Sequence, residues 1–235
     1  MASYSRLLAG VGAVLALGLC AGGCAEPVPV HSDLLNETFY TRTVLRASGS
    51  KLRSSAPYRS SGGGYPPGSE VRVTMFSEIR VDMSINNIPH QMYPVGDDFN
   101  VGGIGEFFEK YFVKTPWEVW VAPKEKKKKN GEEPEPPPPE PEGLDDAWRM
   151  DKWEKSIAGS VQNGIGAIGM TKEQVFMALG PPFEINFDQP ANKLSLATIM
   201  EANRWVYYND NAFLAFFGAR RVMTFSNEGK LIQVE

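Results

Sequence analysis

The chain has 235 residues, a formal net charge of −4 at pH 7, 42% hydrophobic residues, and only two cysteines and two histidines. An acidic balance argues against nucleic acid as a partner, because the phosphate backbone is held by clustered Lys and Arg. Once leader and linkers are set aside, the length leaves room for about two small domains of roughly 80 to 100 residues each.

The first residues, MASYSRLLAGVGAVLALGLCAGGCAE, carry one positive charge at Arg6 and an uncharged apolar run from Leu7 to Leu19. That run has the length of a signal-peptide apolar region and falls short of the ~20 residues a membrane-spanning helix needs. No later apolar stretch reaches that length either. Ala21-Gly22-Gly23 supplies the small side chains a signal peptidase needs before its cut, and Cys24 follows directly. A cysteine after such a segment resembles the lipobox of bacterial lipoproteins, which implies acylation of the Cys24 thiol and cleavage before it. Cys20 is the competing position, but bulky Leu19 precedes it. The alternative is an ordinary secreted protein cut near Ala25. Both readings place the mature chain outside the cytoplasm. No cysteine follows Cys24, so with a lipid there no disulfide can form. Lipoproteins kept in the inner membrane often carry Asp after the cysteine; Ala25 therefore favours the outer membrane, facing the periplasm.

The expected organisation is a signal peptide over 1–23, the lipidated cysteine and its tether over 24–37, and a β-rich unit over 38–122. A linker over 123–146 and a C-terminal domain over 147–235 follow. Within the β-rich unit, Thr38 to Ala47 is rich in β-branched and aromatic residues. Val71 to Phe76 and Ile79 to Ile85 alternate apolar with polar residues, and Ser77-Glu78 between them predicts a tight hairpin. Gly62 to Gly68 (GGGYPPG) reads as a loop. Glu106 to Phe112 predicts a short helix with Phe107, Phe108, Tyr111 and Phe112 on one face and Glu106, Glu109 and Lys110 outside. The whole is loosely similar to SH3-like barrels. From Pro123 to Asp146 the chain has one aliphatic residue, Leu144, and no aromatic one; its prolines predict an extended, solvated spacer.

The C-terminal part opens with Trp148, Met150, Trp153 and Ile157 at helical spacing. A glycine-rich stretch leads into Gly169-Met170-Thr171-Lys172-Glu173-Gln174-Val175. Thr171 predicts an N-cap, Gln174 the reciprocal partner of a capping box, and Met170 with Val175 a hydrophobic staple. Gly180 predicts a left-handed C′ residue, and Pro181 forbids further helix. Extended runs follow at Arg204–Tyr208, Ala212–Phe217, Arg221–Phe225 and Leu231–Val234, the last two joined by the turn Asn227-Glu228-Gly229. The predicted class is α+β, with two helices covering one face of a three- or four-stranded antiparallel sheet.

The spacing GMT-x-x-QV-x-x-x-LG-x-P, then W-x-Y, then V-x-x-F-x-x-x-G-x-L resembles the SmpA/OmlA family, the BamE-like lipoproteins of the outer membrane. The resemblance covers about residues 155–235. It implies a non-enzymatic protein that supports outer-membrane assembly or envelope integrity by contacting other envelope proteins, the β-barrel assembly machinery among them, and lipid. The β-rich segment and the charged spacer depart from the family pattern.

Signs of catalysis are few. His31 lies in the tether, and His90 beside Pro89 reads as a surface or turn residue; no G-x-S-x-G elbow is present. No His/Cys metal site can be assembled, the carboxylates show no ligand spacing, and no cofactor is implied beyond the lipid on Cys24. Trp205, Tyr207, Tyr208, Phe213, Phe216 and Phe217 exceed what one face of a small sheet can hide. Of these, Trp205, Tyr207, Phe213, Phe216 and Phe217 are candidates for a protein-docking surface, against the alternative that they form the core. Two further functional readings stay open: a cell-wall or ligand-binding lipoprotein, and an inhibitor of a periplasmic enzyme.

Overall fold

The computed structural model describes residues 34–48, 51–53, 64–76, 80–92, 108–119, 142–186, 189–208 and 220–235. The signal peptide, Cys24, most of the linker and the run Ala212–Phe217 lie outside the described residues. No helix among the described residues is long and apolar enough to cross a membrane.

Eight strands form the first sheet: β1 Thr38–Thr41, β2 Leu45–Ser48, β3 Lys51–Arg53, β4 Gly64–Tyr65, β5 Glu70–Phe76, β6 Val81–Ile85, β7 Ile88–Met92 and β8 Phe112–Val113. Their order is β4-β2-β3-β7-β6-β5-β1-β8, antiparallel except for the β3/β7 pair. β1 pairs with β5 while β2, the continuation of β1, pairs with β4, the segment leading into β5. The two bent strands thus join the ends of the sheet, and the ladder closes into a small barrel. Alternation, shifted once by a bulge between Val73 and Met75, drives this closure. Val71, Val73 and Phe76 of β5 and Val81, Met83 and Ile85 of β6 turn inward, while Arg72 and Thr74 of β5 face out. Residues 108–111 form a helical turn (α1) beside the barrel. The Phe108 ring lies 5.0 Å from Phe39, 5.7 Å from Phe76 and 5.2 Å from Phe112, which completes the apolar filling.

Several expectations change here. Thr38 to Ala47 is two strands, broken at Arg42-Thr43 where the backbone bends. The glycine-proline segment contributes β4 as well as loop. His90 is no surface residue: it is buried on β7, and its Nε2 lies 2.6 Å from the Tyr65 hydroxyl. Lys110 also lies inside, at 3% exposure, although the helical pattern put it outward.

The second sheet has five antiparallel strands in the order β10-β9-β11-β12-β13. They are β9 Glu184–Ile185, β10 Gln189–Pro190, β11 Arg204–Tyr208, β12 Arg220–Phe225 and β13 Leu231–Val234. Helices α2 Lys155–Gln162, α3 Lys172–Leu179 and α4 Leu196–Glu201 accompany it. The α+β class holds, but among the described residues the sheet already has five strands rather than three or four, and α4 adds a helix to the two expected. The stretch read as the start of a helix forms two 3-10 turns, Asp146–Trp148 and Met150–Lys152, and α2 begins only at Lys155. Asp145 accepts from the Ala147 amide, so the last residues assigned to the linker are already folded.

The core of this half runs from Val161, Val175, Phe176 and Leu179 through Ile199 to Trp205, Tyr207, Met223, Phe225 and Leu231. Phe176 stands between Trp148 and Trp205, edge-on to both at about 6 Å. Val113 and Val119, which follow the barrel in sequence, lie in this core too, and Tyr40 packs against it.

Candidate interaction surface

The helix named by the capping signals is built as those signals require. The Gln174 amide donates to Thr171 Oγ1 at 3.3 Å, and Gln174 Oε1 accepts from the Thr171 amide at 2.9 Å. Two of the first-turn amides that a helix leaves unpaired are thereby satisfied. Met170 and Val175 are both buried in the core, as their staple spacing suggests. At the other end the Gly180 amide donates to the Phe176 carbonyl at 2.7 Å.

Trp205 and Tyr207 do not form a docking surface. Both are buried on the helix-covered face of the sheet, where Trp205 Nε1 donates to the Ile199 carbonyl at 3.0 Å. The Tyr207 hydroxyl donates to the Gly180 carbonyl at 3.0 Å, which ties the sheet to the end of α3. Burial raises the Tyr207 phenol well above its ordinary value. The period-two geometry explains both positions: residues 205 and 207 share one side of β11, and the hydrophobic effect turns that side toward α3. Tyr208 points the other way, and its hydroxyl donates to Glu184 Oε1 at 3.0 Å. Burial, then this bond to a carboxylate, raises its pKa. Phe213, Phe216 and Phe217 lie outside the described residues.

A buried cation that sequence reading passed over sits next to α4. Lys172 Nζ donates to Met200 O at 2.8 Å, to Asn203 Oδ1 at 2.9 Å and to Glu201 O at 3.4 Å. The ammonium therefore closes the C-terminal end of α4, where free carbonyls and the helix dipole favour positive charge. Burial lowers its pKa, while Glu173 and Glu201 oppose the shift. Its partners lie about thirty residues on in sequence, so the ammonium ties α3 to the end of α4. Among the described residues no group of three or more His, Cys, Asp or Glu could hold a metal ion.

Among the described residues the exposed large apolar side chains are Ile88, Ile165, Ile168, Phe183 and Ile232. Ile165 and Ile168 sit in the glycine-rich turn before α3, and Ile232 on the outermost strand β13, each more than half exposed. The Gly169 amide donates to Leu231 O at 2.8 Å, and the Leu231 amide donates to Met170 O at 2.7 Å. Those two bonds lay the end of the turn, next to Ile168, alongside β13, the strand that carries Ile232. Nothing in the spacing of GIGAIG reports this, because the pairing partner is about sixty residues away in sequence.

No family model matches the chain, and no curated protein or solved structure gives a significant match.

Proposed function

We propose that this chain is a lipid-anchored, periplasm-facing lipoprotein of the outer membrane, held at Cys24, that acts without catalysis as a scaffold or accessory protein in outer-membrane assembly or envelope integrity. The observation that carries the reading is the packing of α3 on the sheet. The capped segment Gly169–Pro181 and the aromatic pair Trp205/Tyr207, separated in sequence, meet in one core through Phe176 and through the Tyr207–Gly180 hydrogen bond. These are the anchors on which the likeness to SmpA/OmlA proteins rests, and their joint burial supports a BamE-like arrangement for the C-terminal half. The first half is read in the same way as an SH3-like barrel. Under this reading partners dock at the edge of the second sheet where the turn carrying Ile168 meets β13 with its exposed Ile232, since the sequence candidates Trp205 and Tyr207 are buried in the core.

The test is crosslinking of the full-length lipoprotein in membranes, mild solubilisation, affinity capture and identification of partners by mass spectrometry. Recovery of β-barrel assembly subunits, reduced by Cys24→Ser and by Ile168→Asp with Ile232→Asp, supports the proposal. Recovery of cell-wall proteins alone, together with sedimentation on isolated peptidoglycan, overturns it in favour of a cell-wall-binding lipoprotein.

A further inference from the structure

Donors from the barrel half reach backbone carbonyls at or just beyond the C-terminal ends of three helical segments of the C-terminal half. The Val44 amide, at the bend between β1 and β2, donates to Met177 O in the last turn of α3 at 2.8 Å. Arg46 donates from a guanidinium nitrogen to Gly164 O, just beyond the end of α2, at 3.3 Å. Lys110 Nζ, buried beside α1, donates to Asn192 O at 3.1 Å and Ala191 O at 3.4 Å within the 3-10 turn Ala191–Lys193. Two of the three donors are cations, the charge that the negative end of a helix dipole attracts. Gly164, at φ 68°, leaves no room for a side chain between its backbone and the Arg46 guanidinium. The Arg42 guanidinium adds a fourth tie, stacked 4.9 Å above the Trp148 ring. Arg42 pays for that position in desolvation, which lowers its pKa despite Glu118 and Glu109 nearby.

From these contacts we infer that the barrel is an intramolecular clamp on the C-terminal half: it donates hydrogen bonds to the last turn of α3, to the carbonyl of Gly164 just past α2 and to the turn after β10, and inserts Val113 and Val119 into the core those helices cover. The segment 120–141 then connects two points of one folded body, Val119 at one end and Glu142 at the other, and does not hold two bodies apart. The contacts, not the covalent connection, keep the halves together. This inference is independent of the anchor and of the family reading, because it concerns only the association of the two halves in solution.

The experiment uses the mature chain with Cys24→Ser and a specific protease site placed within 123–141. After complete cleavage, the two pieces are run on native size exclusion and melted by circular dichroism. The expected result is co-elution at the size of the uncut chain and one thermal transition. Separate elution, two independent transitions, or aggregation of the cut protein beside a soluble uncut control each overturn the inference. The capping contribution is read separately with Arg46→Ala and Lys110→Ala together. In the uncut chain this variant retains the far-ultraviolet spectrum, while in the cut chain the pieces associate at least tenfold more weakly. Equal association of cut parent and cut variant removes the clamp role from those two donors.

Discussion

Gly180 occupies φ 78° and ψ −172°. That is not the left-handed helical region that ends many helices and that Asn also tolerates; it is a region essentially reserved for glycine. The glycine at the end of α3 is therefore required more strictly than its role as a stop signal implies. Gly180→Ala and Gly180→Asn are both expected to destabilise by about 1–3 kcal/mol. Urea titration checks this, and an Asn variant as stable as the parent would show that the backbone relaxes to the ordinary left-handed cap. Tyr207 gives a second test at the same junction. Its phenol has a folded-state pKa raised well above the ordinary 10.0, because burial disfavours the anion. Below about pH 10 the group is protonated in both states and its hydrogen bond to Gly180 is fully present. Above that value only the unfolded chain ionises, so folding stability declines as pH rises, at up to about 1.4 kcal/mol per pH unit from this group. Tyr207→Phe is expected to lose about 1 kcal/mol at neutral pH and to show a shallower decline between about pH 9.5 and 11 in thermal melts.

At the scale of the element, α3 shows how far local chemistry reaches. Thr171, Gln174, Gly180 and Pro181 specify both ends within eleven residues, and the helix occupies Lys172–Leu179 between them. Thr171→Ala removes the hydroxyl that accepts from the Gln174 amide and is expected to cost about 1 kcal/mol, whereas Thr171→Ser keeps it and should cost little; chemical denaturation separates the two. The strand β7 shows the opposite case. Pro89 and His90 argue against a strand when read locally, yet Ile88–Met92 pairs with β6 through a two-residue turn. Asn86 and Asn87 both take positive φ, 50° and 68°, the backbone a tight hairpin needs. The missing amide of Pro89 costs nothing there, because β3 lies beside β7 only at Gln91 and Met92. Pairing of Asn residues was the legible signal of that turn. The strand itself became favourable only once Met92 and His90 had a barrel interior to enter. β9 and β10, two residues each, were illegible for a simpler reason: a strand that short carries no period.

At the scale of the molecule the described residues form two apolar cores, one in the barrel and one under α2, α3 and α4, with the second reaching back to Val113, Val119 and Tyr40. A fragment comprising residues 142–235 alone loses those residues together with the donors Val44, Arg46 and Lys110. It is expected to lack a cooperative thermal transition, or to melt far below the full chain, while the full chain melts in one step. Calorimetry of both checks this; a fragment as stable as the parent would show that the C-terminal core closes without the barrel. The boundary also explains why Lys110 escaped a reading by helical face. Three residues of pattern place it toward solvent, and only the neighbouring half, about eighty residues away in sequence, offers carbonyls to receive its charge.

What the sequence by itself determined is the set of features whose cause lies within a few residues: the α+β class, the alternating strands β5 and β6, the capped helix α3 and the hairpin of β12 with β13. Helix ends, turns and side-chain alternation are decided by backbone sterics and by hydrogen bonds over one or two turns, so residue order is enough to read them. Only the tertiary structure decided that Trp205 and Tyr207 are core, that His90 and Lys110 are inside, and that donors of the barrel reach carbonyls of the other half. Burial depends on what arrives from distant parts of the chain. A polar or charged group can be hidden only when its partner is already in place, and the identity of that partner is not written near the group itself.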